Sequence, residues 1–97
     1  MAQTFGEKVK ELREKKGISQ RQFALALDIT PTYMSKIERG EFPPPAEAVI
    51  KNMAKMLEVS SNDLLLYADK VDSDLIEIIK RNPDKCEALL RQWAKKN

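Results

Sequence analysis

Residues Ser19–Gly40 read SQRQFALALDITPTYMSKIERG, and their punctuation divides them into two short helices. Ser19 is a good N-cap, because its hydroxyl can accept from a backbone N–H that the first helical turn leaves without a partner. Phe23, Ala24 and Leu27 then recur at the spacing of three and four that stacks side chains on one helix face. This helix stops near Asp28. After Ile29, Thr30 caps a second helix with Pro31 in its first turn, where the missing N–H costs nothing. Met34 and Ile37 face inward, and Gly40 closes the segment. Two short helices joined by three or four residues, with small Ala24 at the crossing and Leu27, Met34 and Ile37 between them, make a tight angled pair.

The same signals extend outward on both sides. Thr4 is followed three residues later by Glu7, a capping-box pattern, and Phe5, Val9 and Leu12 line one face of a helix that Gly17 ends. Downstream, Glu41-Phe42-Pro43-Pro44-Pro45 is an ordered loop, because successive prolines remove donors and bias their neighbours away from helix. It leads into a fourth helix with Ala48, Val49, Met53, Met56 and Leu57 apolar, ending near Glu58. Ser60 or Ser61 caps a fifth, in which Leu64, Leu65 and Leu66 cluster before Tyr67. Beyond Val71 the pattern restarts. Asp72 or Ser73 caps a helix bearing Leu75, Ile76, Ile78 and Ile79, and Asn82-Pro83 opens another bearing Cys86, Leu89, Leu90 and Trp93. With no strand alternation, repeat or low-complexity tract, the expected class is all-α: a five-helix domain over 1–71 and a two-helix extension over 72–97.

Composition excludes several classes. The chain has 97 residues, 42% hydrophobic and 33% charged, which suits one folded core and not a disordered chain. One cysteine, Cys86, and no histidine exclude an internal disulfide and a zinc cluster, so no metal is expected. The N-terminus lacks the apolar run of a signal peptide and no segment approaches a membrane span, so the expected location is cytoplasmic, with no membrane partner. An enzyme is not expected, since there is no nucleophile motif, phosphate-binding glycine loop or paired carboxylate in a plausible pocket, and no cofactor is implied. The net charge of +2 is uninformative overall, but residues 1–40 carry eight Lys/Arg against five Asp/Glu. That excess is a weak electrostatic footprint in the first forty residues.

The pair has the geometry of a helix-turn-helix, whose second helix fits a DNA major groove while the first lies across the backbone. Protein-binding modules share this geometry, so the pair alone does not decide between them. The segments LREKKGISQRQFALAL, YMSKIERGEFPPP and LEVSSNDLLL resemble the phage-repressor and Cro-like regulators of the XRE family over residues 5–70. The resemblance implies a lambda-repressor-like fold and a bacterial or phage-borne regulator of transcription that binds double-stranded DNA. It implies that Gln20 bonds a phosphate and braces the recognition helix, that Pro31, Thr32, Tyr33 and Lys36 face the bases, and that Arg21 and Arg39 add phosphate contacts. It also implies a structural pair between Arg13 and Glu38, which is outside the DNA site. Two departures stand out. Asp28 occupies a turn position where the family commonly has Gly, and the recognition helix lacks the Gln, Asn or Arg that the simplest base code favours.

Bland readings compete at several positions. Lys36 and Arg39 could be solvated charges, Tyr33 a half-buried packing residue, and Pro31 chiefly a helix-start device. The C-terminal helices could fold back on the core. Their eight large apolar or sulfur-bearing side chains favour a homodimer face, carried by Leu75, Ile79, Leu89, Leu90 and Trp93, on a palindromic operator with recognition helices about 34 Å apart. The alternative is an antitoxin-like protein whose C-terminal helices bind another protein.

Overall fold

Each of the first five helices ends in the same hydrogen-bonded turn. The computed structural model describes residues 3–96, in which α1 (Phe5–Lys15), α2 (Gln20–Ala26), α3 (Pro31–Glu38), α4 (Glu47–Leu57), α5 (Ser61–Tyr67), α6 (Ser73–Arg81) and α7 (Pro83–Lys96) succeed one another with no strand between them. Past each of the first five helix ends one residue turns left-handed: Gly17 (φ 71°), Asp28 (59°), Gly40 (76°), Glu58 (57°) and Asp69 (56°). The next residue donates its N–H back five positions, Ile18 to Arg13, Ile29 to Ala24, Glu41 to Lys36, Val59 to Ala54 and Lys70 to Leu65, at 2.9–3.1 Å. Carbonyls that a helix end leaves orphaned are thereby satisfied. Glycine enters this conformation freely, whereas Asp28, Glu58 and Asp69 enter it against a steric cost.

The helix starts are set by their caps. The Thr4 hydroxyl accepts from Glu7 N–H at 3.1 Å while the Glu7 carboxylate accepts from Thr4 N–H at 2.9 Å, and those bonds lower the Glu7 pKa from its ordinary value. Ser19 and Gln22 form a second such box, with both bonds at 3.0 Å. Thr30 Oγ1 accepts from Tyr33 N–H at 3.1 Å, with Pro31 at the first helical position. Of the two pairs of candidate caps downstream, Ser60 caps α5 and Asp72 caps α6.

The core lies where α2 packs on α3, α1 on α3 and α5, and α4 on α5. Phe5, Val9, Phe23, Ala24, Met34, Ile37, Leu64 and Leu65 fill it. The expectation for α4 needs correction: Ile50, Met53, Ala54 and Leu57 are buried, Val49 and Met56 only partly so, and Ala48 is exposed. Positions 50, 53, 54 and 57 complete one stripe at helical spacing, which Ala48 does not join. In the leucine triplet, Leu64 and Leu65 are buried and Leu66 is exposed, because three consecutive residues span too wide an arc to share a face. α6 and α7 pack on each other. Lys51 Nζ bonds the Asp72 carboxylate at 3.0 Å and Ser73 Oγ bonds Glu47 at 3.3 Å, tying the start of α6 to α4. No residue of α6 is buried.

Candidate nucleic-acid interface

The inner end of α3 is held by one carboxylate. Glu38 accepts from Arg13 Nε at 2.8 Å, from Arg13 Nη2 at 3.0 Å and from Gln20 Nε2 at 3.1 Å, while Arg13 Nη1 bonds the Ile18 carbonyl at 2.8 Å. Both members of the ion pair are buried. Hydrogen bonding to Glu38 raises the Arg13 guanidinium above its ordinary value, against the opposing effect of burial. α1, α2 and the end of α3 thus meet at a single satisfied cluster, with the bidentate geometry that favours arginine over lysine. Gly6 seals the junction from the other side. A Cβ there would lie 2.4 Å from the Ile37 carbonyl oxygen and 2.6 Å from that of Glu38, so only glycine lets α1 approach α3 this closely.

Held in this way, α3 turns Met34 and Ile37 inward and leaves Pro31 and Thr32 exposed and Lys36 partly so. The outward residues Thr32, Lys36 and Arg39 recur at helical spacing along one side, so a single docking of α3 can present them together. Tyr33 is half-buried, packed against the core and with its ring centroid 5.8 Å from that of Phe42. The packing component of Tyr33 is therefore real. Lys36 places its ammonium 5.0 Å from the centroid of the same Phe42 ring. Arg39, at the C-cap, bonds Glu41 at 2.8 Å, so a phosphate contact would require it to exchange partners. Arg21 is exposed in the first turn of α2. Gln20 braces α3 through Glu38.

The C-terminal residues stand apart from this surface. Leu75, Ile79, Leu89, Leu90 and Trp93 are all exposed, Leu89 and Leu90 by 65% and 63%. The core does not cover them.

Two residues that shape this surface, Gly6 and Phe42, were not among those expected from the sequence. Gly6 had a signal, a glycine inside a helical pattern where alanine would be the better helix former. Phe42 had none, since it sits in a proline-rich loop outside any periodic segment and only the closing turn of α3 brings its ring beside Tyr33 and beneath the Lys36 ammonium.

Among the described residues no helix is long and apolar enough to cross a membrane. The family model described as helix-turn-helix matches residues 9–64. YazB of Bacillus subtilis strain 168, an uncharacterized HTH-type transcriptional regulator, is 36% identical over 63 residues, covering 65% of this chain and 90% of YazB. Other curated relatives are longer, and this chain spans half the length of one of them. Among solved structures, the biofilm master regulator SinR in complex with DNA superposes with a TM-score of 0.59 at 29% identity, covering 64% of this chain and 98% of that one. The P22 c2 repressor in complex with a synthetic operator superposes with a TM-score of 0.58 at 25% identity, covering 65% of this chain and 94% of that one. With the helix-turn-helix model matched over residues 9–64, this chain belongs to the XRE family of helix-turn-helix DNA-binding transcriptional regulators.

Proposed function

We propose that this regulator binds an inverted-repeat operator as a homodimer and represses the adjacent promoter. In this reading α3 enters the major groove, Thr32, Tyr33 and Lys36 reach base edges with Pro31 at the groove floor, and Gln20, Arg21 and Arg39 meet phosphates. The observation that carries it is the outward row on a helix whose opposite face is locked by Arg13, Glu38 and Gln20. Such locking fixes where the row points before DNA arrives, which lowers the ordering cost of binding. A repressor complexed with operator DNA among the similar structures supports the sign of regulation.

The dimer part rests on α6 and α7. A pair of amphipathic helices with Leu75, Ile79, Leu89, Leu90 and Trp93 exposed presents the self-complementary apolar face that a two-fold mate would cover. Two copies would set two recognition helices about one DNA turn apart.

The test is selection of binding sites from random duplexes at two salt concentrations, repeated with Thr32→Ala and Lys36→Ala. The expected result is an enriched palindrome, altered by both substitutions. Its affinity should fall with salt with a log–log slope of up to about −4, from Arg21 and Arg39 on two protomers at about 0.9 per phosphate. Absence of any enriched sequence would contradict the reading. A monomeric state in sedimentation at binding concentrations would remove the dimer from it.

A further inference from the structure

Phe42 lies outside every group of residues so far given a role, yet it is a large apolar side chain left 42% exposed. It is also held in place. Glu41 N–H and Phe42 N–H both bond the Lys36 carbonyl, at 2.9 and 3.3 Å, so the turn that closes α3 fixes the start of the loop, and Pro43, Pro44 and Pro45 restrict the remainder of it. The ring therefore sits against the outward side of α3. There it touches two residues, Tyr33 at 5.8 Å between centroids with a 50° tilt and the Lys36 ammonium at 5.0 Å. Both are among the three residues proposed to read bases.

We infer that Phe42 is a positioning residue for DNA recognition: its ring holds the Lys36 ammonium and the Tyr33 ring in the arrangement that the operator meets. This rests on the proposed base-reading role of Lys36 and Tyr33. A free lysine side chain samples many rotamers and loses that freedom when it binds a base edge. A ring that attracts the ammonium through its quadrupole removes part of the loss in advance, and a tilted aromatic pair does the same for Tyr33. An exposed ring adds little to the core, so its main effect falls on recognition. The role also explains an aromatic residue at a water-facing loop position, where a polar residue would otherwise serve.

The full chain carrying Phe42→Leu or Phe42→Tyr tests this. Leucine keeps apolar packing and removes the ring, whereas tyrosine keeps the ring. Four readouts are taken: the melting temperature, the proton shift of the Lys36 ε-methylene in the free protein, affinity for the selected operator, and affinity for a random duplex. The Leu variant should melt as the parent does, lose the upfield ring-current shift at Lys36 and bind operator roughly fivefold more weakly. Its affinity for random duplex should stay within about twofold, since that term comes from phosphates. The Tyr variant should behave as the parent. In a Lys36→Ala background the Leu substitution should cost less, because part of its effect runs through Lys36. Operator binding by the Leu variant that is unchanged or tighter, equal weakening toward both duplexes, or the same cost without Lys36 each overturns the inference. If the parent itself shows no preference for any sequence, the proposed function falls and this role with it. If the parent prefers its operator and the Leu variant keeps that preference in full, only the positioning role falls.

Discussion

Replacing Glu38 by glutamine removes one charge from the cluster that orients α3 and changes almost nothing else in shape. The Glu38 side chain is 2% exposed and that of Arg13 8%, so neither can turn to water when its partner is lost. Arg13 keeps its bond to the Ile18 carbonyl at 2.8 Å but loses the charge facing Nε and Nη2. The new amide also presents N–H groups toward a cation or toward Gln20 Nε2, which already donates. Breaking a buried pair from one side costs about 3–5 kcal/mol. The surviving amide oxygen offsets part of this, so a loss of about 3 kcal/mol is expected. For a domain of this size that lowers the melting temperature by roughly 12 °C or more. Chemical denaturation monitored by circular dichroism gives the free energy from the midpoint at unchanged slope. The double variant Arg13→Met, Glu38→Leu should recover a good part of the loss, because it leaves no unpaired buried charge. A cost below about 1 kcal/mol for Glu38→Gln, the value of an exposed pair, would show that this buried pair does not lock α3.

The geometry fixes the sign of three further effects. Gly6→Ala should destabilise by about 1–3 kcal/mol in spite of alanine's better helix propensity, since the atoms met at 2.4 and 2.6 Å are backbone; thermal melting measures it. Asp28→Gly should stabilise by about 0.5–1 kcal/mol, relieving a left-handed residue at φ 59° and removing an acidic group from a helix C-terminus, and a lower melting point than the parent would contradict this. Asp72 is held below its ordinary value, first by the Asp74 N–H and then by Lys51. A depressed carboxylate stabilises above its unfolded value and loses that contribution as pH falls through the folded one, so the start of α6 should loosen on acidification before the core does. An amide-resolved pH titration at Asp74 reads it directly.

How far the fold could be read depended on the partners each residue has to satisfy. Caps were legible because they are local: Thr4, Ser19, Thr30 and Ser60 each meet a donor three residues on. The inward faces of α2 and α3 were legible for the same reason, as Phe23, Ala24, Leu27, Met34 and Ile37 keep helical spacing without interruption. In α4 the three consecutive residues Ala48, Val49 and Ile50 are apolar, so the start of the pattern admitted more than one stripe, and packing on α5 goes with the one that holds Ile50 and Ala54. The pairing of Arg13 with Glu38 joins residues 25 apart, and no rule of local spacing predicts it; the family resemblance supplied it. For the candidate interface, exposure of Thr32 and Arg21 was set by helix phase. The surroundings of those residues could not be read. Phe42 under Lys36, and Glu41 against Arg39, come from the left-handed turn at Gly40, which redirects the chain back along α3.

If side chains of α3 read base identity, affinities for the selected operator and for every single-base variant of it, measured with the parent and with Lys36→Ala, will separate base contacts from phosphate contacts. The alanine variant should lose discrimination, worth about 1–3 kcal/mol, at one or two symmetry-related positions and keep it elsewhere. A uniform loss of affinity across all variants, with every base preference intact, would show that Lys36 only meets phosphate and would contradict the claim for this residue; the same result with Thr32→Ala and Tyr33→Ala would contradict it for the helix.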